Sequence, residues 1–171
     1  MKELFCSDRI RFVQVSTDLV KDYLLMINDK DVTKYIRRRT EPLTKEDEIR
    51  WVGEKLAKND CVFSMIEKKS GEFIGNVELM ERTEEEKELG IIITAKKQNA
   101  GFGKEAVTAL TQFGFDRFGL KRIVLQVNPE NARAIHVYLS CGFREYDRTD
   151  DTVFMEIAKD AGHCSEKEFE K

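Results

Sequence analysis

Gln98, Asn99, Ala100, Gly101, Phe102 and Gly103 are the residues of this 171-residue chain whose types and spacing point most directly to a chemistry. The apolar run Ile91, Ile92, Ile93 precedes them, and a helical pattern over residues 103–118 follows. A helix N-terminus offers unpaired backbone N–H groups and the positive end of the peptide dipole, which suits a pyrophosphate. Missing side chains at Gly101 and Gly103 let the backbone approach such a group closely, and Lys104 adds charge at the rim. A loop with two incidental glycines is the plainer reading. A third reading takes Gly101-Phe102-Gly103-Lys104-Glu105-Ala106 as the G-x-G-x-x-A turn of an NAD(P)-binding oxidoreductase, with Glu130 downstream. Two features count against it: residues 95–100 separate the first glycine from the strand, and about one βα unit follows.

The second constellation runs from Asn128 through Asn131, Ala134, Ile135 and Tyr138 to Gly142 and Phe143. On a helix, Asn131, Ala134 and Tyr138 share a face, so an amide and a phenol on an apolar surface ask for partners. Alternatively, Asn131 is an N-cap and Tyr138 a core aromatic with its hydroxyl at the surface. His136 falls on another face and His163 in a polar tail. Cys6, Cys61, Cys141 and Cys164 are scattered, and no pair has the spacing of a zinc or redox motif. No metal site is expected, and Cys141 reads as packing.

These residues need elements to hold them. Residues 10–15 alternate as a first strand, and Ser16-Thr17-Asp18 caps a helix to about Asn28. Thr44 and Asp47 form a capping box before a helix with Ile49, Val52 and Leu56 on one face. Strands follow over residues 61–67, 73–81 and 89–94, with turns at Lys69-Ser70-Gly71 and Glu84-Glu85-Glu86. Beyond the glycines come the helix to Phe118 stopped by Gly119, a strand over 122–127, a helix over 131–141 and strands over 143–146 and 152–157. The order β-α-α-β-β-β-α-β-α-β-β is an α/β (α+β) arrangement, a mixed sheet with helices packed on it. Residues 1–158 form one domain in this reading, and 159–171 a polar tail.

Bulk properties narrow the partners. A net charge of −3 gives no basic field for nucleic acid or an anionic membrane. No apolar run approaches the roughly 18 residues of a membrane span, and the acid at Glu3 argues against a signal peptide. A cytoplasmic protein with reduced thiols is expected.

Together, the Q-x-x-G-x-G loop at residues 98–103 and the N-x-x-A-x-x-x-Y-x-x-x-G-F helix at 131–143 resemble the Gcn5-related N-acetyltransferase (GNAT) superfamily. Asp31-Val32-Thr33-Lys34-Tyr35 resembles its ribosomal-protein N-terminal acetyltransferase branch. Glu41-Pro42, Val77-Glu78-Leu79 and Ile91-Ile92-Ile93 resemble the spermidine acetyltransferases of that branch. The resemblance implies a mostly antiparallel sheet of about six to seven strands with a central splay, about four helices, and acetyl-CoA as donor. It implies that Ile91, Ile92 and Ile93 bond the pantetheine arm and acetyl carbonyl, that residues 98–104 take the pyrophosphate, and that Asn131 and Ala134 lie along the cofactor arm. Tyr138 would protonate the leaving thiolate, and Glu88, at the start of its strand, would relay the amine proton through water. The amine attacks directly in a ternary complex, so no enzyme nucleophile is required. The acceptor would be a polyamine, another small amine or a protein N-terminus. Glu41, Glu78 and Glu81 would suit a polycation there, Arg37, Arg38 and Arg39 an acidic group. A non-catalytic acyl-CoA-binding module is the alternative reading, and relatives imply a possible homodimer.

Overall fold

The computed structural model describes residues 2–36 and 41–159. Arg37, Arg38, Arg39 and most of the tail, His163 and Cys164 included, lie outside the described residues. Eight strands form one sheet among the described residues: β1 (Glu3–Cys6), β2 (Ile10–Gln14), β3 (Cys61–Glu67), β4 (Phe73–Glu81), β5 (Glu86–Ile93), β6 (Arg122–Val127), β7 (Arg144–Arg148) and β8 (Val153–Ala158). Their order is β1-β2-β3-β4-β5-β6-β8-β7, antiparallel at every junction except β5–β6. Five α-helices accompany them: α1 (Val20–Ile27), α2 (Lys30–Thr33), α3 (Lys45–Lys58), α4 (Phe102–Phe118) and α5 (Ala132–Ser140).

Eight strands and five helices exceed the expected numbers by short elements. β1 is four residues long and is held where Phe5 stacks on Phe12 and on Phe113, at 4.2 Å in each case. α2 is a single turn capped by Asp29. Lys45 does begin a helix behind a complete Thr44/Asp47 capping box. Its inward face differs from the expected one, however. Ile49 and Leu56 are exposed, while Glu48, Trp51 and Val52 turn inward and Lys55 pairs with Glu78 and Asp60. Tertiary partners outrank the apolar pattern here. β5 starts at Glu86 rather than Leu89, so Glu88 sits within the strand and not at its head.

The sheet is covered on both faces. One core gathers Phe12, Phe63, Leu79, Val107, Leu110, Ile123 and Met155 under α4 and α5. The other gathers Val13, Tyr23, Val52, Val62 and Ile66 under α1 and α3. Alternation along β2 and β3 supplies both, since neighbouring residues point to opposite faces.

The single parallel junction positions the site. β5 and β6 pair only at Glu86↔Arg122, Lys87↔Ile123 and Glu88↔Val124. β5 then stays with β4 up to Gly75↔Ile93, and β6 stays with β8 up to Val127↔Val153, so the two strands part. Gly75 is essential to this course. A Cβ there would lie 2.0 Å from the Ile92 carbonyl oxygen, a clash that only a shift of the backbone could relieve. The dinucleotide reading fails on the same topology, because the sheet is mostly antiparallel and a 3-10 turn (Ala95–Lys97) intervenes before the glycines.

Candidate active site

The parted strands open a cleft of about 680 Å³. Gly90, Ile91, Ile92 and Ile93 form one wall, and Gln98, Asn99, Gly101, Gly103 and Lys104 form its floor at the head of α4. Asn131, Ala134, Val137 and Tyr138 of α5 form the facing wall. Ala100 and Phe102 belong to the loop but do not line the cleft: Ala100 faces solvent, and Phe102 is buried in the core.

The loop is built to expose its backbone. Asn99 and Gly101 adopt left-handed conformations, with φ of 59° and 82°. Glycine is at ease at that φ, while Asn tolerates it. The first intrahelical bond is Glu105 N–H to Gly101 O, 3.2 Å. Among the described residues, the N–H groups of Asn99, Ala100, Gly101, Phe102, Gly103 and Lys104 have no hydrogen-bond partner. Such a run at a helix N-terminus fits a pyrophosphate. A Cβ on Gly103 would stand 3.6 Å from Ile93 Cδ1 and 3.9 Å from Val137 Cγ1, so any longer side chain would fill the gap between the walls. The residues present therefore fit a CoA-type ligand.

Several residues hold the loop rather than the ligand. Gln98 Nε2 donates to the Ile93 carbonyl at 2.9 Å and ties the loop to β5. The Asn131 side chain accepts from Ala134 N–H at 3.2 Å, so it is the N-cap of α5 while also lining the cleft. A clamp that the sequence reading missed lies behind the floor. Arg9 Nε donates to Glu105 Oε2 at 2.7 Å and Arg9 Nη1 to the Ala100 carbonyl at 3.0 Å, and the guanidinium lies 4.5 Å from the Phe102 ring centroid. Ser7 and the Arg9 N–H both donate to Glu105 Oε1 at 2.7 Å. Burial raises the Glu105 pKa, but these hydrogen bonds and the Arg9 charge outweigh it and leave the carboxyl below its usual value. No local motif announces the clamp, since its partners lie 96 and 98 residues apart.

Tyr138 is 7% exposed, and burial pushes its phenol up to about 12, with the nearby Cys141 adding to the effect. Its hydroxyl has no partner among the described residues. Glu88 lines the cleft and accepts from Gln126 Nε2 at 3.1 Å while pairing with Arg82. Glu78 lines it too, 3.5 Å from Lys55. Glu81 does not: it points away, is largely exposed and pairs with Lys87. Glu41 is exposed and outside the lining. Asp31 and Glu48, to which the sequence reading assigned no place in the site, are in it.

Residues 9–144 match the model of a family described as the acetyltransferase (GNAT) domain, and the chain belongs to that family. It is an acetyl-CoA-dependent N-acetyltransferase. The chain is 34% identical over 93 residues to spermidine N(1)-acetyltransferase of Vibrio cholerae, covering 53% of this chain and about half, 54%, of that relative. A GNAT-family acetyltransferase from Bacillus anthracis has the same fold, with a TM-score of 0.80 at 21% identity, covering 90% of this chain and 96% of that one. So does Vibrio cholerae spermidine N-acetyltransferase in complex with CoA and spermine, with a TM-score of 0.77 at 21% identity, covering 88% and 95%.

Proposed function

We propose that the chain acetylates a primary amine of a small cationic molecule, a polyamine among them, with amine and donor bound together. The observation that carries this is the acceptor side of the cleft, where Asp31, Glu48, Glu78 and Glu88 lie beside Tyr23, Tyr35 and Trp51. Carboxylates in a partly dry cleft hold ammonium groups, and aromatic faces add cation–π attraction. The names of the Vibrio cholerae relative and its spermine complex support a polyamine.

Acetyl-CoA supplies an electrophilic thioester carbon and a thiolate leaving group. In this reading the N–H run of residues 99–104 holds the pyrophosphate, and Gly103 leaves room for the arm along Ile91, Ile92, Ile93, Asn131 and Ala134. Glu88 takes the amine proton through water. As the C–N bond forms and the C–S bond breaks, the Tyr138 hydroxyl donates to the departing sulfur. A phenol held near 12 is always protonated at neutral pH, so this donor is always loaded.

Acetyl transfer measured across spermidine, spermine, aminoglycosides and N-terminal peptides tests the acceptor. Turnover of polyamines or other small amines above peptides is the expected outcome. Exclusive transfer to peptide N-termini would replace this reading with the protein-directed one. We further propose a cytoplasmic homodimer pairing through β7, the edge strand near the C-terminus and exposed along its whole length, for which light scattering on the full chain is the check.

A further inference from the structure

Tyr23, Ser64 and Asn76 form a buried hydrogen-bonded file beneath the acceptor side of the cleft. Ser16 N–H donates to the Tyr23 oxygen at 3.2 Å, the Tyr23 and Ser64 hydroxyls are 2.7 Å apart, and Ser64 donates to Asn76 Oδ1 at 2.9 Å. Each hydroxyl has one proton, so the directions are coupled. Were the Asn76 amide turned over, it would donate to Ser64, Ser64 would donate to Tyr23, and the Tyr23 proton would be left without an acceptor. Tyr23 is 1% exposed and Ser64 0%, so that orphan would be costly. The file therefore runs from Tyr23 through Ser64 to the Asn76 oxygen.

This order leaves the Asn76 NH2 on the far side. Among the described residues it has no partner, yet the one wholly enclosed side-chain polar atom lacking a partner is Thr111 Oγ1. Asn76 is 9% exposed and lines the cleft, so its NH2 opens there. The carboxylates of Asp31, Glu78 and Glu88, which line the same cleft, accept hydrogen bonds when ionised. An ammonium group has no lone pair to offer an amide donor. The donor is therefore of no use to the charged ends of a polyamine that carries no oxygen.

We propose that Asn76 determines acceptor specificity by donating a hydrogen bond to a neutral oxygen, hydroxyl or carbonyl, carried by the amine substrate. Oxygen-bearing amines are then preferred over oxygen-free amines of the same length. This rests on the reading of the cleft as an amine site and narrows its substrate class.

The test compares diaminopropanol with diaminopropane, and glycinamide with ethylenediamine, in wild type, Asn76→Ala and Ser64→Ala. In wild type kcat/KM for the oxygenated member of at least one pair should exceed that of the other by roughly tenfold, mainly through KM. The two pairs separate a hydroxyl from a carbonyl. The ratio should fall to near one in Asn76→Ala and shrink in Ser64→Ala, where the amide is free to turn over. A wild-type ratio near one for both pairs, or a ratio that survives both substitutions, overturns the proposal. Calorimetric binding of the same amines to the CoA complex separates this from failure of amine acetylation. Tighter, Asn76-dependent binding of an oxygenated amine without turnover would sink the acceptor reading and keep this one, whereas equal binding would sink this one. Melting temperature and CoA affinity verify the fold of each variant, and Ser64→Ala carries the test if Asn76→Ala does not fold.

Discussion

Burial pushes the Tyr138 phenol up to about 12, so its protonated form persists through any assay pH below about 11. The wild-type rate should therefore rise with pH as the amine deprotonates and show no basic limb from Tyr138 below about pH 11. Tyr138→Phe should lower kcat by about 10²–10⁴ and move the CoA dissociation constant by less than about twofold. A matching loss in CoA affinity would assign the residue to packing instead. Glu105 gives the opposite kind of pH dependence. Its folded pKa lies below the ordinary value of 4.5, so folding favours the ionised carboxylate. That contribution is complete above about pH 4.5 and is lost as the pH falls through the depressed value. Melts from about pH 6 to about pH 3 should show wild type losing more thermal stability than Glu105→Gln. Gly101 and Gly103 were legible as cleft-lining positions because the loop and the helix it opens are contiguous in sequence, whereas Tyr138, 35 residues beyond Gly103, was placed on the cleft only by the resemblance. The Arg9–Glu105 clamp and the Tyr23–Ser64–Asn76 file could not be read, since each joins side chains that only the folded sheet brings together.

Elements followed the same logic of range. α4 and β6 were legible almost to the residue, as Gly119 stops one and an apolar run makes the other. The capping box of α3 was legible because it lies within four residues, and Thr44→Ala should cost about 1 kcal/mol in denaturant unfolding. The inward face of α3 was not, because Glu48 is buried and Lys55 turns toward Glu78 and Asp60, which lie beyond the helix. β1 was unread for want of length, its place being set by Phe5 against Phe12 and Phe113. Where β4 and β5 meet, the backbone leaves no room at all. Gly75→Ala should cost about 3 kcal/mol or more, seen as a fall of roughly 6–12 °C in melting temperature. A variant that melts like wild type would mean the strands can shift without penalty.

At the scale of the whole molecule, the cleft proposed for the donor lies between two sets of strands that the sheet joins through only three residue pairs. A ligand that binds only the folded form raises stability with its concentration, by about 2.7 kcal/mol at a hundredfold excess over its dissociation constant. CoA should accordingly raise the melting temperature, and NAD(P) should leave it unchanged. Gly103→Leu should abolish the CoA effect while retaining the unliganded melt within a few degrees, since its side chain enters the gap rather than a packed core.

The three residue pairs that join β5 to β6 also divide the chain in its order of synthesis. Strands β1 to β5 all precede the glycine loop, and β6 to β8 all follow it, so each side of the cleft is one continuous stretch of polypeptide. A ribosome therefore finishes one wall before starting the other. Two fragments cut near the 3-10 turn would each carry a complete set of strands, and the donor would act as the rivet that draws them together.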